Sequence, residues 1–169
     1  MLYYNTVNDL LKNSLITLMD APIFQNFRLV GGTALSFQIG HRESIDIDLF
    51  SDAEYGTLNF KEIEDFLKNN FDYVDFLDVP PAMGKAYFVG NNENNTIKLD
   101  IFYTDTFIQP FIEVDGIRMA TIEEIIAMKI DVIQRGGRKK DFWDLHNLLD
   151  TYSISQMIEL HEQRYPYTH

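Results

Sequence analysis

The chain has 169 residues, 46% of them hydrophobic and 14% aromatic, which fits one domain with a substantial core and excludes a disordered protein. It contains no cysteine, which excludes disulfides and thiol nucleophiles. Its 14 basic against 26 acidic residues give a net charge of -12, a balance that repels polyanions at long range and attracts cations.

The first residues, 1–9, lack the basic start and apolar core of a signal peptide, and no later run is long enough to span a membrane. A cytoplasmic location is the expectation. Val7 to Met19 reads as an amphipathic helix with Leu10, Leu11, Ile16 and Leu18 among its apolar positions. Phe27 to Val30 then reads as a short buried strand, and Thr33 to Ile39 as a helix opening just after it. Between them stands Gly31-Gly32-Thr33. A strand, a Gly-Gly turn and a helix N-terminus together expose backbone N–H groups at the positive end of a helix dipole, which suits an anion. The Thr33 hydroxyl is placed either to cap that helix or to donate to a phosphate.

In Ser44-Ile45-Asp46-Ile47-Asp48-Leu49-Phe50 the alternation is that of a strand. Ile45, Ile47 and Leu49 share one face, while Asp46 and Asp48 share the other at roughly 6–7 Å. Two ionised carboxylates so close repel each other, and a divalent cation between them offsets the repulsion. An ordinary solvated strand face is the alternative. An EF-hand loop is excluded, because Phe50 and Ser51 occupy the positions where it needs an oxygen ligand and a glycine. His41 and Arg42 lie between the turn and the Asp pair, where they either reach a phosphate or the acceptor, or hold the Asp strand by local hydrogen bonds.

Phe60 to Asn69 reads as a helix whose Glu62, Glu64 and Asp65 form a solvated face. Tyr73 to Val79 and Lys85 to Val89 read as strands joined through Pro80-Pro81, and Asn91 to Asn95 as a hairpin turn. Thr96 to Tyr103 follows as a strand carrying Asp100, the natural third carboxylate for a two-metal centre or a general base. Ile112 to Met119, with Gly116 inside it, reads as a further hairpin or edge strand.

From Thr121 onward the pattern is helical. Thr121 can cap a helix whose Glu123 and Glu124 suit its positive end. Lys129 falls in the apolar stripe of Ile122, Ile125, Ile126 and Ile133, where a lysine either reaches phosphate or snorkels and pairs with an acid. Gly136-Gly137 ends that helix. The one concentrated basic segment, Arg135, Arg138, Lys139 and Lys140, leads into the next helix, where Asp144 shares a side with Leu145, Leu148 and Leu149. Asp144 can pair with Lys129 or contact a metal-bound nucleotide through water. Asp141, one turn earlier, is also explained by the helix dipole alone. A last helix covers Ile154 to Gln163.

The run Gly31-Gly32-Thr33-Ala34-Leu35 through Gly40-His41-Arg42-Glu43-Ser44-Ile45-Asp46-Ile47-Asp48-Leu49-Phe50 resembles the first motif of the AbiEii/AbiGii toxin family of nucleotidyltransferase-fold proteins. Ala127-Met128-Lys129-Ile130 and Arg138-Lys139-Lys140-Asp141-Phe142-Trp143-Asp144-Leu145 resemble its later motifs. The resemblance spans about Gly31 to Leu149. It implies magnesium (or manganese), a nucleoside triphosphate substrate, RNA and notably transfer RNA as acceptor, and restraint by a separate antitoxin protein. Longer members carry a further helical region, whereas this sequence stops soon after the last motif.

The resulting expectation is an α+β fold in a single domain: a nucleotidyltransferase-like mixed β-sheet flanked by helices over about residues 1–118, then a helical C-terminal subdomain over about 119–169. The nucleotide cleft is expected between them. Asp46, Asp48 and Asp100 would hold metal, with Asp100 also placed as a base; Gly31, Gly32, Thr33, Lys129, Asp144 and Arg42 would bind the nucleotide. Asp141, Arg138 and His41 are secondary candidates. The acidic balance also admits a small cationic acceptor such as an aminoglycoside, a basic antitoxin, or a silent nucleotide sensor or partner-binding domain.

Overall fold

In the computed structural model, which describes residues 1–168, six α-helices flank a mixed seven-stranded sheet. The helices are α1 (Asp9–Asp20), α2 (Gly31–Ile39), α3 (Phe60–Asn70), α4 (Ile122–Gln134), α5 (Lys139–His146) and α6 (Ile154–Arg164). The strands are β1 (Arg28–Val30), β2 (Asp46–Ser51), β3 (Tyr73–Asp75), β4 (Gly84–Asn92), β5 (Asn95–Tyr103), β6 (Ile112–Val114) and β7 (Ile117–Met119). Their order across the sheet is β3-β4-β5-β2-β1-β7-β6. β2 runs parallel to β5 and β1 parallel to β7, while the other neighbours are antiparallel. Among the described residues no helix is long and apolar enough to cross a membrane.

The alternation in the two central strands decides how the sheet is packed. Ile47 and Leu49 of β2 and Leu99 and Ile101 of β5 are fully buried on one face. Leu11, Leu15 and Leu18 of α1, at spacings of four and three, are fully buried with them. Each such side chain stabilises the fold by about 1.5–3 kcal/mol. The opposite face of β2 and β5 is thereby left free for charged groups.

Caps set the helix starts. The Asn8 side chain accepts from Leu11 N and delays α1 to Asp9, while the Asn59 side chain accepts from Glu62 N ahead of α3. The Thr121 side chain accepts from Glu124 N, as expected from its position. Asp115 and Gly116, both at positive φ (54° and 80°), make the tight β6–β7 turn. At the far end, the fully buried Arg164 and Glu124 side chains pair at 2.8 Å and join α6 to α4. Arg164 also donates to Thr104 Oγ1 and the Thr106 carbonyl, and Glu124 accepts from the N–H groups of Ile108 and Gln109. No charge in this pair lacks a partner, which is the condition for burying it.

Four local expectations are corrected. The helix after β1 opens at Gly31, so Thr33 lies inside α2 and does not cap it. Gly31 itself takes the sharp turn, with φ +73°. Ile45 precedes β2 and is 69% exposed, so it does not share the buried face of Ile47 and Leu49. The strand expected to reach Val79 stops at Asp75, and Leu77 and Val79 beyond it are exposed and have no core to pack on. β4 and β5 each extend further toward their shared turn, pairing as far as Asn92 with Asn95 across a bulge at Gly90.

Candidate active site

The parallel register of β2 and β5 sets Asp48 opposite Asp100 and Asp46 opposite Lys98. Asp46, Asp48 and Asp100 therefore share the face left free of core packing. Asp48 shows the consequence: burial, followed by the nearby Asp100 and Asp46 carboxylates, pushes its pKa up from 3.8 to about 7, against a small opposing pull from Lys140. One oxygen of Asp100, Oδ1, is buried without a hydrogen-bond partner. Lys98 Nζ lies 3.5 Å from Asp100 and Lys140 Nζ 3.8 Å from Asp46, too far for short charge-assisted bonds. A crowded carboxylate cluster with an orphaned oxygen is a donor set for a hard divalent cation. Among the described residues no three acidic or histidine side chains are already gathered closely enough to hold one, so the carboxylates would have to close on the ion.

The glycines come against this cluster. A Cβ on Gly31 would stand 2.5 Å from Asp48 Oδ2, and one on Gly32 would stand 2.2 Å from Arg42 Nη2. The first turn of α2 is thus within touching distance of both a metal-type carboxylate and a cation, with its N–H groups at the cleft. Gly31→Ala is expected to strain a left-handed residue by about 1–2 kcal/mol and to displace the Asp48 carboxylate as well. Urea unfolding and calorimetry with magnesium check this; the loss of ion affinity should exceed the loss of stability.

Behind the cleft, Asp144 gathers three side chains. Arg42 donates to it through Nε at 2.6 Å and Nη2 at 2.9 Å, His41 Nε2 stands 2.5 Å away, and Lys129 Nζ lies at 2.9 Å. Burial would raise the pKa of this carboxyl, yet the hydrogen bonds from Arg42 and His41 and the charge of Lys129 outweigh it and hold the group well below the usual carboxylate range. Lys129 also donates to Asp141 Oδ1 at 3.0 Å, while Asp141 Oδ2 accepts from Arg138 N at 2.9 Å. Asp141 therefore caps α5 and holds Lys129 at once. The network ties the loop after α2 to α4 and α5.

A cavity of about 230 Å³ unites most of the expected residues: Gly31, Gly32, Thr33, Arg42, Asp46, Asp48, Asp100, Lys129, Arg138 and Asp141 all line it. Asp144 and His41 do not; both stand one layer back. Thr33 reaches the wall, but its hydroxyl is committed to Ser44 Oγ at 2.6 Å and to the Asp46 carbonyl, so it fastens β2 to α2. Lys98, Phe50 and Lys140 also line the cavity, as do Ile125, Met128 and Val132 from α4. Lys98 was missed although it precedes Asp100 by two, and Phe50 follows Asp48 by two; strand period alone places both on the carboxylate face. Ile125, Met128 and Val132 share the α4 stripe with Lys129 and give the cleft an apolar wall opposite the acids.

A mixed sheet with acidic side chains across two parallel central strands and a glycine turn beside them defines a nucleotidyltransferase fold, and solved structures agree. A putative nucleotidyltransferase from Helicobacter pylori superposes with a TM-score of 0.62 at 24% identity, over 90% of this chain and 71% of its own. JHP933 from Helicobacter pylori gives 0.60 at 22%, over 96% and 74%. MenT4, a nucleotidyltransferase toxin from Mycobacterium tuberculosis, gives 0.59 at 14%, over 89% and 60%. No curated protein matches the sequence. The family model described as nucleotidyl transferase AbiEii toxin, type IV TA system, matches residues 14–169, and the chain belongs to that family.

Proposed function

We propose that this chain is a magnesium- or manganese-dependent enzyme that transfers the nucleoside monophosphate of a nucleoside triphosphate to an RNA acceptor, notably transfer RNA, as the cytoplasmic toxin of a pair with a separate antitoxin. The observation that carries the chemistry is the pairing of Asp48 with Asp100 across β2 and β5, with Asp46 on the same face and the Asp48 pKa raised to about 7. A bound divalent ion, held by Asp46, Asp48 and Asp100, would supply Lewis-acid polarisation of the phosphate. The residues of the chain do the rest. Backbone N–H groups of Gly31 and Gly32, with Lys129, Arg42 and Arg138, receive the triphosphate, and Asp144 and Asp141 hold Lys129 and Arg42 in place. An acceptor hydroxyl oxygen bonds to the α-phosphorus as the bond to the bridging oxygen breaks. Pyrophosphate leaves, and the hydroxyl proton passes to Asp100.

The net charge of -12 favours one second reading, transfer to a small cationic acceptor, and the same charge suits a basic antitoxin. Incubation of each labelled nucleoside triphosphate and magnesium with total RNA and, in parallel, with an aminoglycoside distinguishes them. Label in transfer RNA is the expected result, lost in Asp48→Asn and on addition of EDTA. Label only in an aminoglycoside would move the assignment to the small acceptor, and binding without any labelled product would reduce the chain to a sensor.

A further inference from the structure

Beside the catalytic cavity a second, shallow groove is lined by Arg42, Lys139, Lys140 and Trp143. Arg42 and Lys140 line both, so the two adjoin. Lys139 and Lys140 lie one turn before Trp143 on α5, and Trp143 is 49% exposed. His146 stacks on the indole, at 5.6 Å and 24° between ring planes, and does not line the groove. On a chain with net charge -12, three cations gather around one exposed aromatic here; Arg42 is paired with Asp144 and Lys140 stands 3.8 Å from Asp46, while Lys139 borders the groove alone. An indole face beside cations that track a backbone is the arrangement that binds single-stranded nucleic acid, through base stacking and phosphate neutralisation.

We propose that this groove seats the unpaired end of the acceptor RNA, with a base stacked on Trp143 and the adjoining phosphates on Lys139 and Lys140. This rests on the reading of the acceptor as RNA. The shared wall gives it direction, because Lys140 stands 3.8 Å from Asp46 and a strand lying on Trp143 and Lys140 leads its terminal hydroxyl toward the carboxylates.

Trp143 is the sole tryptophan of the chain, so its fluorescence reports the groove directly. Titration of the full chain with a short single-stranded RNA is expected to quench it saturably, with affinity that falls as salt rises, while blunt duplex RNA quenches far less. In fluorescence anisotropy with end-labelled RNA, Trp143→Ala should weaken binding by about 5- to 150-fold, with Trp143→Phe retaining most of the affinity. Lys139→Glu should weaken RNA binding while leaving calorimetric nucleotide binding unchanged. Absence of quenching by single-stranded RNA, or unchanged RNA affinity in both Trp143→Ala and Lys139→Glu, overturns the assignment even if transfer to some acceptor is found. Quenching and anisotropy as expected, without any labelled RNA product, would support the groove and count instead against RNA as the acceptor.

Discussion

Asp48→Asn is expected to abolish nucleotidyl transfer while leaving the fold intact and, above neutral pH, more stable. The substitution preserves shape and removes one of three crowded charges. Its amide can also donate toward the Asp100 oxygen that lacks a partner. Burial and the neighbouring Asp100 and Asp46 carboxylates push the pKa of Asp48 up from the ordinary 3.8 to about 7 in the fold. Between those values the folded state holds the extra proton, so the stability contributed by this group is complete below 3.8 and lost as pH rises through 7. Denaturation at pH 8 should therefore favour the variant, by a few kcal/mol at most. A divalent ion should reverse the order, raising the melting temperature of the wild type and not of the variant. Loss of the ligand removes several kcal/mol of charge stabilisation, about a thousandfold or more in rate. Full activity in a folded Asp48→Asn protein would refute the catalytic assignment.

Asp144→Ala should produce the largest stability loss of any single change at the site. Asp144 is fully buried, and its removal leaves Lys129 and Arg42 with their charges largely desolvated and one or both without a full partner. Breaking a buried pair from one side costs about 3–5 kcal/mol. For a chain of this size that lowers the melting temperature by about 6–20 °C. The change should also loosen the hold on nucleotide, because the two cations lose the carboxylate that aims them. A second substitution, Lys129→Met, separates the causes: in the double variant part of the stability should return, as one stranded charge is gone, while nucleotide affinity should not. Additive stability losses would show that the carboxylate and the lysine do not act as a unit.

How far the sequence reveals this site depends on the kind of contact. Asp46, Asp48 and Asp100 are legible because a strand period of two and β-branched neighbours decide their facing, and the sheet only has to supply the register. Lys129 and Asp144 are legible as charges on apolar stripes, and their ion pair follows from that conflict. The attachment of His41 and Arg42 to Asp144 is not legible, because it depends on how the loop after α2 docks against α5, more than a hundred positions away in the chain. Thr33 shows the same limit: the hydroxyl suits a helix cap or a phosphate equally by type, and only the position of Ser44 decides that it braces β2. Strand ends such as Asp75 escaped because apolar Leu77 and Val79 prolong the pattern beyond the last paired residue.

The parallel pairing of Asp48 with Asp100 also has a bearing on when the protein can act during its own synthesis. β2 and β5 are joined by residues 52–94, which build α3, β3 and β4 before the second carboxylate strand can insert. β5 must dock between β4 and β2 against the mutual repulsion of the acids it brings together, a long-range closure of the kind that slows folding. A growing chain that has presented the glycine turn and the first acidic strand therefore still lacks the Asp48–Asp100 pair. The paired carboxylates exist only once β5 has been inserted beside β2, after the intervening α3, β3 and β4 have been made.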